Sequence, residues 1–228
     1  MTNLLAIETS AEACSVALHC GGQTHSFFEH APMRHAELLL PAVQSLLDKS
    51  GLSLGNLDAI AFGRGPGSFT SLRIGIGVVQ GLAWAAELPV VPVSSLAAVA
   101  QAAADISKSG VSSICVAVDA RMQEVYTANF RIGDNGIVAL AGEERVCEPG
   151  RVRGAPEGGP WIAAGNGFEL FDELNQLATG ASDCHPGIRP RAETVCKLAL
   201  DWLSGNEPLP AGRAQPVYVR NQVASKPD

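Results

Sequence analysis

The sequence predicts an α/β protein built as two lobes of similar order. Three observations carry that expectation. The first hundred residues read β-β-β-α-β-α-β-α, a layered lobe. A similar order begins again at Ser113, although no motif-length repeat is visible. Within the first lobe, Leu57 to Leu88 joins a buried strand, a glycine turn and a long helix, the usual architecture of an anion site.

Leu4 to Thr9 is continuously apolar enough to lie inside a sheet. Cys14 to Cys20 returns as a second strand, and Gly21-Gly22 is a hairpin signal leading into Gln23 to Glu29. Arg34 to Ser50 carries Leu39, Val43, Leu46 and Leu47 at helical spacing, with Pro41 set to kink it or fall in its first turns. Ala59 to Phe62 is the buried strand, and Gly63-Arg64-Gly65-Pro66-Gly67 the turn. Ser68 or Thr70 then caps a helix running to about Ala86. Pro89 to Val93 is a strand, followed by a helix from Ser94 or Ser95 to Ala104. In the second half, strands are expected over Ser113–Val118, Glu124–Arg131 and Gly136–Ala141, with an exposed loop from Gly142 to Gly159. Trp161 to Ala164 is a strand, Gly165-Asn166-Gly167 a turn, and Phe168–Leu177 and Ala192–Leu203 are helices. The lobes are expected at residues 1–107 and 108–228, the last helix (about 192–204) and tail being free to pack back on the first lobe.

The central helix holds Gly75, Gly77 and Gly81, each costing about 1 kcal/mol relative to Ala. Close approach of another backbone is the usual compensation. Gly77, Gly81 and Ala85 recur every fourth residue as one smooth stripe, flanked by Arg73, Gln80 and Trp84. Leu72, Ile76, Val79, Ala83 and Ala86 form the opposite, purely apolar face. The helix is therefore expected to have neighbours on both sides, and Arg73, Ile74, Gly77, Gln80, Gly81, Trp84 and Ala85 are the candidate partner surface.

The composition narrows the function. A net charge of −7 opposes unaided binding of nucleic acid, which needs a basic surface. The opening MTNLLAIETSAEA lacks the pattern of a secretory signal, and no apolar run is long enough to span a membrane. Six scattered cysteines without a Cys-x-x-Cys pair read as buried reduced thiols of a cytoplasmic protein. The glycine turn has neither Walker nor dinucleotide spacing, so a tight turn and a phosphate cradle both stand. Glu8, Thr9 and Ser10 close the first strand, where a carboxylate caps the hairpin or positions a metal or water. Asp119 with Arg121 reads more readily as an ion pair or turn cap than as a phosphate site. His25, His30 and His35, five residues apart, fall on different faces and make a shared metal unexpected; His35 should be exposed or in a first helical turn. No Gly-x-Ser-x-Gly elbow is present, and Ser68 and Ser71 have no neighbouring histidine in sequence.

The stretches LAIETSAEACSVAL, GRGPGSFTSLRIGIG and VDARMQEVY resemble the bacterial TsaB (YeaZ) family, over nearly the whole chain. The resemblance implies the duplicated α/β fold of the actin, Hsp70 and sugar-kinase superfamily. It implies a role in making threonylcarbamoyladenosine in tRNA, beside the anticodon, as a shortened relative of the catalytic subunit TsaD. TsaD as heterodimer partner, TsaE as a third subunit, and a homodimer of the isolated chain are implied with it, and a separate enzyme, TsaC, supplies threonylcarbamoyl-adenylate. Against the Glu-Thr-Ser-Cys-Asp-Glu-Thr opening of TsaD, Glu8, Thr9 and Ser10 match, Glu12 replaces the Asp and Ala13 the second acid. Where TsaD places its metal-binding His-x-x-x-His pair, Ser95 and Val99 stand. The expectation is thus a scaffold without catalytic residues, metal or cofactor, touching tRNA only through the complex. Weak residual nucleotide binding is left open in a cleft of Glu8, Thr9, Ser10, Gly65, Gly67, Asp119, Gly165 and Gly167. The alternative is an enzyme in its own right, an ATP-dependent transferase or a peptidase.

Overall fold

The structure is a computed structural model describing residues 2–107, 110–154 and 159–220. The first half contains β1 (Leu4–Glu8), β2 (Ala13–Cys20), β3 (Gln23–His30), α1 (His35–Ser50), β4 (Ala59–Gly63), α2 (Phe69–Ala85), β5 (Val90–Val93) and α3 (Ser95–Ile106). The second contains β6 (Ser113–Asp119), β7 (Val125–Ile132), β8 (Val138–Cys147), β9 (Trp161–Ala164), α4 (Gly167–Leu170), α5 (Asp172–Ala178), β10 (Asp183–His185) and α6 (Ala192–Leu203). One sheet is ordered β3-β2-β1-β4-β5 and the other β8-β7-β6-β9-β10. In each, the first three strands form an antiparallel meander and the last two run parallel to the meander's first strand. The duplication therefore lies in topology, and the fold is the two-lobed α/β architecture of the actin and sugar-kinase type.

Strand alternation divides the core into layers. Leu5 and Ile7 of β1 face α1 and α2, joining Leu39, Leu46, Ile76 and Val79 in an outer core. Leu4 and Ala6 face the other way, into a core that continues through α3 and α6 to Ile114, Phe130 and Ile162 of the second sheet. The two middle helices are exchanged. Helix α3 packs on β6 to β9, whereas α6, made last, packs on β1 to β5. Alanines 6, 17, 59 and 61 line this inner face, so the helix backbones sit close to the sheet. A third core beneath α4 and α5 gathers Trp161, Phe168 and Leu174.

Several expectations are corrected. Strand β8 does not stop at Ala141 but runs to Cys147, past a register shift against β7 and a left-handed Gly142. Its Glu and Arg residues belong to an edge strand, not a loop, and 155–158 of that stretch lie outside the described residues. The helix expected over 168–177 is broken by an extended Phe171. Strand β10, three residues long, was too short to leave a pattern. His35 stands in the first turn of α1, one of the two placements expected for it, but is buried, its Nε2 reaching the carbonyls of Ala11 (3.0 Å) and Ala13 (3.3 Å). Pro41 lies inside α1, in its second turn. All six cysteines are unpaired, but only Cys14, Cys115 and Cys196 are buried. Burial pushes the Cys14 thiol up to about 11 and those of Cys115 and Cys196 to about 12. The lobe boundary at 107/108 falls where 108 and 109 lie outside the described residues, as do 221–228 of the tail.

No helix among the described residues is long and apolar enough to cross a membrane.

Candidate functional site

The ends of β1, β4 and β6 meet at a cleft of about 850 Å³ between the lobes. On the first-lobe side, glycine is required for packing. A side chain at Gly63 would collide with the Glu8 carboxylate, and one at Gly67 with Ser10. The turn between them is bonded to its own surroundings. The Arg64 amide donates to Val93 O (2.8 Å), the Ser68 amide to Ser10 O (2.7 Å), and Pro66 has no amide. The Gly65 carbonyl accepts from the Ser95 amide (3.0 Å). The Ser68 hydroxyl does not cap α2 but pairs with that of Ser71 at 3.0 Å.

Glu8 lies beneath the cleft, 1% exposed. One carboxylate oxygen accepts the Ser10 amide (2.6 Å), the other the Ser95 hydroxyl (2.8 Å). Burial raises its pKa above the ordinary 4.5, opposed by these hydrogen bonds. The native state therefore holds the proton more tightly than the unfolded chain, and stability falls as pH rises from 4.5 through the raised native value. Glu8→Gln, isosteric and uncharged, is expected to remove that loss: its melting temperature relative to the parent should climb from pH 4.5 to pH 7.5. A difference that stays flat or falls across that range would count against this account. Thr9 donates to Ser71 O (2.9 Å), and a side chain at Gly75 would strike the Thr9 hydroxyl. That contact accounts for one helix-interior glycine. Ser95 and Val99 are both buried against the cleft.

On the second-lobe side, Asp119 accepts the Arg121 amide (2.8 Å) and pairs with its guanidinium (3.2 Å), so it is turn cap and ion partner at once. Arg121 also reaches Glu12 of the first lobe at 2.9 Å. Arg121, Met122 and Gln123 are three successive left-handed residues without a glycine. Gly165, at φ +101°, and Gly167 let their turn lie against the Ala117 backbone. Together these positions place Ser10, Gly67 and Asp119 around one cleft, with Glu8 and Thr9 packed beneath it and Gly65 and Gly165 in its supporting turns. Among the described residues, no group of three or more His, Cys, Asp or Glu side chains is placed to hold a metal ion.

The outer face of α2 is a separate surface. A side chain at Gly77 or Gly81 would meet nothing within 4 Å, and Arg73, Ala85 and Trp84 (71% exposed) lie on the same side. Ile74 and Gln80 are half-buried. Gln80 is turned toward the tail, donating to Ala214 O at 2.7 Å. Arg73 stacks over Phe69 at 3.8 Å and donates to the Tyr218 hydroxyl at 3.1 Å. Helix α1 runs alongside, presenting Leu40, 50% exposed.

Sequence reasoning missed the links between the lobes. Arg64 pairs at 2.9 Å with Glu144, whose side chain is only 7% exposed and which also accepts the Ser94 hydroxyl. Glu144 sits in the stretch read as a loop, at the register shift of β8 against β7. The tail contacts likewise left no local signal.

Comparisons with known proteins agree with one another. The family described as TsaD, tRNA N6-adenosine threonylcarbamoyltransferase, matches residues 29–182. The tRNA threonylcarbamoyladenosine biosynthesis protein TsaB of Escherichia coli (strain K12) is 40% identical over 98% of this chain and 96% of its own. Its counterpart in Haemophilus influenzae is 36% identical over 98% and 95%. The solved structure of YeaZ from Pseudomonas aeruginosa superimposes with a TM-score of 0.87 at 44% identity, covering 96% of this chain and all of that one.

Proposed function

The chain belongs to the TsaB (YeaZ) family of tRNA threonylcarbamoyladenosine biosynthesis proteins, and from that premise we propose that it is a non-catalytic subunit that binds and organises the threonylcarbamoyl transferase TsaD, with TsaE joining them. One observation carries this reading. At the start of α3, where the resemblance puts a metal-binding histidine pair, Ser95 is committed to Glu8 and Val99 is buried. Neither position offers a ligand suited to a transition metal. In this reading the chain works without a cofactor of its own, in the cytoplasm, and reaches tRNA through the complex. With a net charge of −7, phosphate contacts fall to the partners.

The partner surface is the exposed stripe of Gly77, Gly81, Trp84 and Ala85 on α2, with α1 beside it. A helix laid on bare glycines approaches closely, and Trp84 supplies the aromatic anchor such contacts favour. The isolated chain would cover the same surface with a second copy. Reconstitution tests the proposal. With TsaD, TsaE, threonylcarbamoyl-adenylate and tRNA, modification is expected to require this chain, whereas the chain alone should turn over neither ATP nor peptide. Full modification without it, or steady turnover by the purified chain, would overturn the reading in favour of a self-sufficient enzyme.

A further inference from the structure

We propose that the tail is a releasable strap, with Arg220 as the latch that holds the loop Asp119–Glu124 of the second lobe over the cleft. The strap has a fixed part and a crossing part. Leu209 exchanges both backbone hydrogen bonds with Val90, at 2.7 and 2.9 Å, and Ala214 is fully buried in the outer core. Beyond Ala214 the chain crosses the mouth of the cleft with much less support. The Val217 amide donates to Arg64 O (2.8 Å), and Tyr218 leans on Phe69 with 5.3 Å between ring centres. Both side chains remain exposed.

Arg220 then enters the other lobe. Its guanidinium, 13% exposed, donates to the carbonyls of Ala120 (3.1 Å) and Arg121 (3.4 Å) and pairs with Glu124. The loop it grips holds the left-handed run Arg121–Gln123. Side chains with a Cβ avoid that conformation, and it persists only where surrounding bonds over-determine it. Arg220 reaches these three acceptors through one guanidinium nitrogen. Its segment is otherwise held by the Val217 amide and by Tyr218, which leans on Phe69 and accepts from Arg73 (3.1 Å). When the crossing part lifts, the loop loses its brace and relaxes, and the cleft opens on that side. The strap is thus the cheapest element to release, and its position sets the loop.

Hydrogen exchange on the full chain tests this. In the parent protein the amides of Val217 and Glu124 should exchange with similar protection, well below that of Val90, which the fixed part holds. Arg220→Ala, and Glu124→Gln from the other side, should each speed exchange of the Ala120 and Glu124 amides roughly ten- to a hundredfold, while β2 and β6 stay unchanged. Tryptic cleavage after Arg121 should rise in step. Loop amides that do not respond would overturn the proposal. So would a rise spread evenly over both sheets, which would make Arg220 a general stabiliser. In the parent protein, protection at Val217 and Glu124 differing by more than about tenfold would overturn it without any variant.

Discussion

Gly81→Leu is expected to leave the protein folded, with an unchanged or higher melting temperature, while its association with a second copy or with TsaD weakens about a hundredfold. The expectation follows from the open space at this position, where a side chain meets no heavy atom within 4 Å. Leu also removes a helix-interior glycine, worth about 1 kcal/mol. The added bulk instead holds a partner helix off the stripe. Gly75→Ala provides the contrast. It lies on the opposite side of α2, where a Cβ would drive into Thr9, which is already bonded to Ser71 O. Overpacking there should destabilise by about 1–3 kcal/mol, more than the gain in helix propensity. Melts and size-exclusion runs with and without TsaD separate the two effects. Gly81→Leu with a lowered melting temperature and intact association would place the partner elsewhere.

Val195→Asp should have a still larger effect. Val195 is fully buried on α6 in the core shared by both sheets. An unpaired carboxylate there costs several kcal/mol, a large part of the roughly 5–15 kcal/mol that holds a domain together. The variant is expected to yield little soluble protein and a melting temperature lowered by ten degrees or more. Lys197→Ala, on the exposed side of the same helix, loses only a surface pair with Asp105 (2.6 Å) and should shift it by a degree or two. Equal behaviour of the two variants would refute the buried, lobe-bridging role of α6.

What could be read from the residues was what the chain writes locally. The meander was legible because Gly21 and Gly22, both left-handed, make the hairpin and β1 and β2 are mostly apolar runs. The exposed stripe of α2 was legible because Leu72, Ile76, Val79 and Ala83 claim the opposite face of the helix for the sheet. Gly75 was not separable from Gly77 and Gly81, since its reason, Thr9, lies 66 positions away. The continuation of β8 was hidden because an edge strand with a bulge carries Glu143, Glu144 and Arg145 much as a loop does. The burial of His35 depends on the carbonyls of Ala11, in the β1–β2 turn, and Ala13, at the start of β2. The tail has no periodicity, and its partners Val90, Arg64 and Glu124 are all remote in sequence.

The exchange of α3 and α6 has a consequence for how the molecule is made. A ribosome delivers the first sheet early, yet one of its two faces is covered by a helix made only after every strand of the second sheet. Until Ala192–Leu203 has cleared the exit tunnel, Leu4, Ala6, Ala59 and Ala61 present an uncovered apolar surface to solvent. A nascent chain that pauses after its first half is thus a natural client for a chaperone. A gene split between the halves would yield two sticky fragments rather than two working lobes.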